Sequence, residues 1–229
     1  MKFSSQIVSA ASGSIGGCTF SRNRSGQYIR RRALPINPAS TFQQLIRAAM
    51  SSLVTAWTGN LTQAQRDAWE IWAINTPYTD ALGNPVIITG QNAYVSLNTP
   101  RIQASLTVIN TAPSIFSGTS LTPPSFTIAD ESAQTVTFSF NNADEWASLI
   151  GGALLVYVGR PQNASINFFK GPYRYAGSVL GAIVPPTSPA TLPTPFPFVQ
   201  PQRVFMQWRA VGADGRISAV QRDSVLVTL

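Results

Sequence analysis

Gln134-Thr-Val-Thr-Phe-Ser-Phe140 is the stretch of this 229-residue sequence that decides the fold. Its apolar residues Val136, Phe138 and Phe140 alternate with small polar residues. Because side chains on a strand point alternately to opposite faces, this pattern predicts a strand with one buried and one exposed side.

Three further segments continue the pattern along the chain. Leu154-Leu-Val-Tyr-Val158 predicts a more fully buried strand, and residues 203–211 and 217–229 predict two strands joined by the turn Ala213-Asp-Gly215. No helical segment intervenes, so residues 113–229 are expected to form an antiparallel β-sandwich, similar to an immunoglobulin or fibronectin type III module, that folds alone. Trp208 is predicted to be its core tryptophan.

A proline-rich loop at residues 185–201 interrupts this sandwich. It contains seven of the 17 prolines, together with Phe196 and Phe198. Such a segment is stiff and extended, so it loses little entropy when it lies against another surface. Two interpretations stay open: the phenylalanines contact a partner, or they pin the loop over its own sheet.

Residues 37–112 have the periodicity of helices. One helix is predicted at 40–58, a second at 62–75 after the capping box Thr62-Gln-Ala-Gln65, and a third from near Gly90. The first helix carries an apolar stripe of Phe42, Leu45, Ile46, Ala49, Leu53 and Trp57. We expect the first two helices to pack antiparallel, with Trp57 and Trp72 buried between them.

Residues 1–36 form a basic arm, which completes an α+β fold class. The first 66 residues carry a net charge of +8 with no carboxylate, whereas the remaining 163 carry −1. Two short β-prone pieces, 18–21 and 27–30, flank a glycine-containing loop and predict a hairpin. Its apolar face is thin and its other face strongly cationic, so we expect a partner or the body to order it.

The arm is expected to bind a partner. Its charge comes almost entirely from arginine, which pairs with carboxylates and phosphates through two parallel hydrogen bonds. The alternative is an exposed cluster that only keeps the surface hydrated. The candidate partner-binding residues are Arg22, Arg24, Tyr28, Arg30, Arg31, Arg32, Phe196 and Phe198.

The composition argues against catalysis. There is no histidine, and the single Cys18 cannot form a thiolate zinc site. Adjacent carboxylates occur only at Asp130-Glu131 and Asp144-Glu145, where neighbours on a strand face opposite ways. We therefore predict a non-enzymatic protein with no cofactor, no metal and, lacking a long apolar run, no membrane span.

Several motifs occur together in one order: Gly16 to Arg32, Asn37-Pro38, Leu61 to Trp69 and Thr89 to Asn98. This combination resembles a group of uncharacterised proteins encoded by tailed phages and prophages. The resemblance implies a structural role in the virion, which is assembled in the host cytoplasm, with other virion proteins as partners. We also expect self-assembly, either as a homo-oligomer or as many copies of the chain on a symmetric lattice. We favour capsid decoration over a neck or tail position, and the arm also suits encapsidated DNA.

A nucleic-acid-binding protein is the rival hypothesis. The helices at 40–58 and 62–75 would form a helix-turn-helix while the arm follows phosphates. Against it, the second helix presents Asp67 and Glu70, which a phosphate backbone repels. A third hypothesis is an adhesin or receptor-binding module built on the sandwich.

Overall fold

The computed structural model describes residues 11–23, 26–34, 36–79 and 83–228, and the chain divides into two compact units, 1–43 and 44–229. The first unit contains an antiparallel sheet of three strands: β1 (Gly13–Ile15), β2 (Cys18–Asn23) and β3 (Gly26–Arg31). Strands β2 and β3 confirm the predicted hairpin, whereas β1 was not predicted.

Four elements form the helical part of the second unit. They are α1 (Thr41–Gly59), which begins just before the division, α2 (Gln63–Asn75), a small hairpin of β4 (Tyr78–Thr79) and β5 (Pro85–Val86), and α3 (Gly90–Gln103). The capping box is confirmed, since Gln65 N donates to Thr62 Oγ1 at 3.3 Å and Thr62 N donates to Gln65 Oε1 at 2.9 Å. The turn-rich sequence Asp80-Ala-Leu-Gly-Asn84 predicts a hairpin tip, of which residues 80–82 lie outside the described residues.

The predicted burial of α1 is largely wrong. Only Ala49 and Leu53 of its apolar stripe are buried, while Phe42 and Leu45 are 47% and 43% exposed and Trp57 is half-buried. The aromatic core lies between α2 and α3 instead, because α3 begins with a glycine that approaches α2 closely. A Cβ on Gly90 would lie 2.7 Å from the backbone nitrogen of Glu70.

Seven strands of the second unit form one sheet. In chain order, with one short helix among them, the elements are β6 (Ser125–Asp130), β7 (Thr135–Ser139), α4 (Glu145–Ser148), β8 (Ala153–Gly159), β9 (Tyr173–Leu180), β10 (Ala190–Pro193), β11 (Arg203–Val211) and β12 (Gln221–Thr228). The strand order is β10-β7-β6-β12-β11-β8-β9. All neighbours are antiparallel except β6 and β12, which are parallel. The predicted strands are confirmed as β7, β8, β11 and β12.

The sheet folds over on itself around an apolar core. Its two edge strands approach each other, so that a Cβ on Gly177 of β9 would lie 3.1 Å from the Leu192 side chain of β10. The enclosed core includes the predicted Trp208, which is fully buried, with its ring centroid 6.1 Å from that of Phe138. The result is a sandwich-like sheet in a mixed α+β protein.

The outer face of this sheet carries a second, smaller core. Ala104, at the end of α3, packs with Leu155 of β8 and Val211 of β11. The hydroxyl of Tyr157 donates to Gln103 Oε1 at 3.0 Å. The helices and the sheet therefore share one compact unit, while the expected boundary at 112/113 stays a prediction.

The proline-rich loop is partly ordered by its own sheet. It contributes β10, and Phe198 is 1% exposed within the sandwich core. Gln134 fixes this residue by accepting from Phe198 N at 3.0 Å and donating to Phe198 O at 2.9 Å. The hypothesis that Phe198 contacts a partner is thus wrong, because its ring is buried in the sandwich core.

No helix within the described ranges has the length and apolar character needed to cross a bilayer.

Candidate functional site

The arginines of the arm are positioned by the pairing of β2 and β3. Phe20 lies opposite Ile29, Thr19 opposite Arg30, and Cys18 opposite Arg31. Directly opposed residues in an antiparallel pair place their side chains on the same face. The register therefore determines which side each guanidinium occupies.

The cationic charge is divided between the two faces. Arg22 and Arg31 lie on the face of Phe20 and Ile29, whereas Arg30 lies on the other face with Tyr28. The expectation of one apolar and one cationic face is wrong, because Arg30 and Arg31 are consecutive and point to opposite sides. Each face combines guanidinium groups with an apolar or aromatic side chain.

A glycine turn fixes the first strand against the second. Gly16 has φ 58°, a conformation that type II′ hairpin turns require at their first central position and that glycine adopts without strain. On the Tyr28 face, the hydroxyls of Ser14 and Thr19 lie 2.8 Å apart. Arg32 N donates to Gly17 O at 2.8 Å, so main-chain pairing continues one residue beyond β3.

The sheet of the first unit has no buried core among its described residues. Arg22, Arg30, Arg31 and Arg32 are exposed, and Phe20, Tyr28 and Ile29 are only half-buried. Because an isolated small hairpin is marginal in water, this exposure leaves apolar area that a partner could cover.

A concavity lies beside the glycine turn. It is lined by Gly16, Gly17, Arg31, Arg32 and Leu34. No Asp or Glu precedes Asp67 in the sequence, so these guanidinium groups have no carboxylate partner within their own unit. The site offers forked donors and unshielded positive charge, which suits carboxylate or phosphate groups.

The other predicted contact residues are placed differently. Arg24 lies outside the described residues. Phe196 is half-buried under two guanidinium groups, with the Arg174 and Arg160 carbons 4.9 Å and 5.6 Å from its ring centroid. Phe196 therefore belongs to a cation–π cluster on the sheet and is not brought together with Phe198 in the core.

Sequence reasoning missed one cation outside the arm, Arg209 in β11. It lines a cleft beside α2 and α3. The only signal was its place in the alternating strand, opposite in direction to the core residues Trp208 and Ala210. No group of three or more potential metal-ligating Cys, Asp or Glu side chains occurs in the part of the chain that the structure describes.

Comparisons with known protein families, with curated proteins and with solved structures found no match to this chain.

Proposed function

We propose that this chain is a non-enzymatic structural component of a tailed-phage virion that attaches through its N-terminal hairpin. One observation carries the proposal: the hairpin bears exposed arginines without carboxylate partners in its unit and has no buried described residue. Free charge and uncovered apolar area on one small sheet are what a docking element needs. The sequence resemblance to tailed-phage proteins supplies the virion context.

The body is proposed to be an immunoglobulin or fibronectin type III-like module. If strands β6 to β12 are lettered A, B, C, C′, E, F and G in chain order, the order across the sheet becomes E-B-A-G-F-C-C′. Strands A, B and E are then neighbours, and so are C, C′, F and G. Immunoglobulin-type sandwiches divide their strands in the same way, with A, B and E in one sheet and C, F and G in the other. The parallel pair of β6 and β12 would then join the two layers.

Capsid decoration is the position we favour. An arm that attaches and a module that is presented outward suit repeated binding to a symmetric lattice. A neck or tail protein is the alternative. Copy number per particle separates these positions, because decoration requires hundreds of copies and a neck or tail position far fewer.

The contacts of Arg66 weigh against DNA reading by α2. Its guanidinium donates to three backbone carbonyls around the end of α1: Trp57 O at 3.0 Å, Thr58 O at 2.9 Å and Leu61 O at 3.0 Å. The one cation of this helix is thus occupied, while Asp67 and Glu70 are exposed. A helix of this kind presents negative charge to the phosphates.

The proposal is tested by replacing Arg30, Arg31 and Arg32 together with alanine. We expect much weaker incorporation into particles and a smaller effect of salt on the attachment that remains, because charge-assisted contacts are lost. The matched control removes three exposed arginines of the body, Arg160, Arg174 and Arg222, and should leave incorporation unchanged. Equal incorporation of both triple variants contradicts docking by the hairpin.

A further inference from the structure

A cleft of about 640 Å³ lies between the helices and the outer face of the sheet. Residues of α2 and α3, the loop at 116–118 and the β11–β12 hairpin line it. Its size falls within the range of small-molecule sites in proteins, roughly 300–1,000 Å³. All of these residues belong to the second compact unit.

Arg209 supplies an uncompensated positive charge in this cleft. Its Nε is buried and has no hydrogen-bond partner among the described residues. The other cleft arginine, Arg216, is paired with Asp214 and Glu145. The two arginines of the cleft therefore differ: carboxylates pair with Arg216, whereas the Arg209 Nε has no acceptor among the described residues.

The nearby phenol does not neutralise Arg209. Burial raises the pKa of Tyr157 to about 12, although the positive charge of Arg209 opposes this shift. The phenol therefore stays protonated at neutral pH, and its hydroxyl donates to Gln103. An unpaired, partly buried guanidinium is costly, and an anion in the cleft would relieve that cost.

Trp72, which also lines the cleft, carries a second unpaired donor. Trp72 is 7% exposed, and its indole N–H has no partner among the described residues. By contrast, the indole of Trp69 donates to Asn110 O at 2.9 Å. A buried donor left without an acceptor is destabilising, so an oxygen atom of a ligand that reached this N–H would be held by it.

The rest of the lining suits an apolar body. Leu97, Phe116 and Ile217 contribute hydrocarbon and aromatic surface. The hydroxyls of Tyr78 and Ser96 lie 3.1 Å apart, and Ser96 Oγ also donates to Ala93 O at 3.0 Å. A ligand for this cleft thus combines an acceptor-rich anion with an apolar group.

We propose that this cleft binds a carboxylate attached to an apolar or aromatic body, with Arg209 as its cation and the Trp72 indole as a second donor. This site is independent of the hairpin and goes beyond the proposed attachment role. The carboxylate belongs either to a free small molecule or to the C-terminus of a polypeptide, since both present the same chemistry.

The test follows the indole N–H resonances of the five tryptophans by NMR during titration of the full chain. The probes are phenylacetate, its neutral analogue phenylacetamide, and the peptide Gly-Gly-Phe with a free or an amidated C-terminus. We expect the carboxylate probes to shift the Trp72 resonance downfield and saturably, while the hydrogen-bonded Trp69 resonance stays in place. A Trp72→Phe variant assigns the resonance.

Two arginine variants make the test specific. Arg209→Gln should weaken carboxylate binding by about tenfold or more, the usual loss for a charge-assisted hydrogen bond. Arg222→Gln, on an exposed arginine outside the cleft, should bind as the original chain does. Circular dichroism shows whether each variant is folded. The neutral probes, phenylacetamide and the amidated peptide, test the need for a ligand charge in the original chain, without any substitution.

The source of the carboxylate follows from the two binding arms. Tighter binding of the free-acid peptide than of phenylacetate supports a polypeptide C-terminus, and the reverse order supports a small molecule. Equal binding of acid and amide probes, or an unshifted Trp72 resonance with every probe, overturns the proposal. The particle-attachment test of the hairpin variant is independent of these titrations, so either proposal can fail while the other stands.

Discussion

Arg101 shows at the residue scale how the second unit is held together. Its side chain is 2% exposed and donates to three backbone carbonyls, Thr107 O at 2.8 Å, Gly151 O at 3.0 Å and Gly212 O at 2.8 Å. Desolvation lowers the pKa of this guanidinium, and the negative charge of Asp214 opposes the shift. One residue of α3 thus satisfies acceptors in two loops of the sheet.

Replacing Arg101 with alanine should destabilise the protein by about 3 kcal/mol or more. The change leaves three backbone acceptors without their donor, and each unpaired buried group costs about 1–3 kcal/mol. Denaturant unfolding measures the loss. The control Arg222→Ala, at an exposed arginine, should cost less than about 1 kcal/mol. Equal losses for the two variants would contradict the stabilising role of the three Arg101 hydrogen bonds.

Tyr157 should make stability depend on alkaline pH. Its pKa is raised from 10.0 to about 12 by burial. The folded state therefore holds a proton that the unfolded state releases above pH 10. The stabilising contribution of the protonated Tyr157 is complete below pH 10. It is lost as the pH rises through the folded-state pKa of about 12.

The measurement is the free energy of unfolding of the original chain and of Tyr157→Phe between pH 8 and pH 12, the range that this titration spans. The variant lacks the bond to Gln103 and should be less stable by about 1 kcal/mol at neutral pH. Its stability should fall less steeply at high pH, although Tyr173 and Tyr175, whose pKa values burial also raises, keep part of the slope. Parallel curves would contradict the assignment.

At the scale of elements, tryptophans report which helices share a core. Trp69 of α2 is fully buried, with its ring centroid 5.5 Å from that of Tyr94 and 6.2 Å from that of Trp72. Trp57 of α1 reaches Tyr94 at 5.7 Å but stays half-buried. Helix α1 thus attaches to this core by one edge.

Trp69→Ala should cost about 3–5 kcal/mol, the usual loss for truncating a large core aromatic. The helical spacing of α1 predicts full burial of Trp57 and the same loss for Trp57→Ala. Because the structure leaves Trp57 only partly buried, we expect a smaller loss for Trp57→Ala, about half of that for Trp69→Ala or less. Thermal or denaturant unfolding of the two variants ranks them, and a larger loss for Trp57 would reverse the assignment of the core.

Sequence patterns predicted the helices and strands that depend on contacts between neighbours in sequence. The capping box located α2, and the alternation of β7 and the turn after β11 located their strands, because these features depend on neighbours in sequence. Strand β10 was missed because its alternation lies inside the proline-rich loop. Proline is tolerated there since β10 is an edge strand, a fact that only the sheet order reveals.

The same distinction between local and distant contacts decides which parts of the candidate sites could be predicted from the sequence. The hairpin and its arginines could be predicted from charge and turn residues. The burial of Phe198 could not, because it depends on Gln134, 64 residues away in sequence. The cleft at Arg209 also required knowing that helices cover the outer face of β11.

At the scale of the whole molecule, contacts between the helices and the sheet decide which fragment is autonomous. Removing residues 1–112 would uncover Leu155 and Val211 on the outer face and take away Arg101. Residues 44–229 keep all three cores: the one inside the sheet, the one between α2 and α3, and the small one on the outer face of the sheet. We therefore expect 44–229, rather than 113–229, to be the smallest well-behaved fragment.

Fragment expression tests this expectation. The fragment 44–229 should be monomeric by light scattering and show a mixed helix and strand circular dichroism spectrum, yet fail to attach to particles. The fragment 113–229 should self-associate through its uncovered face. A monomeric, cooperatively unfolding 113–229 would restore the boundary expected from sequence, and attachment of 44–229 would move docking away from the hairpin.

Strand β12 lies between β6 and β11, and it is the last of the seven strands along the chain. During translation, β6 to β11 leave the ribosome while the position between β6 and β11 is still empty. Until residues 221–228 emerge, both strands carry an open edge that a neighbouring nascent chain can occupy. Synthesis on crowded polysomes therefore exposes this protein to strand exchange at one defined place, and a chaperone that shields open edges would act before β12 appears.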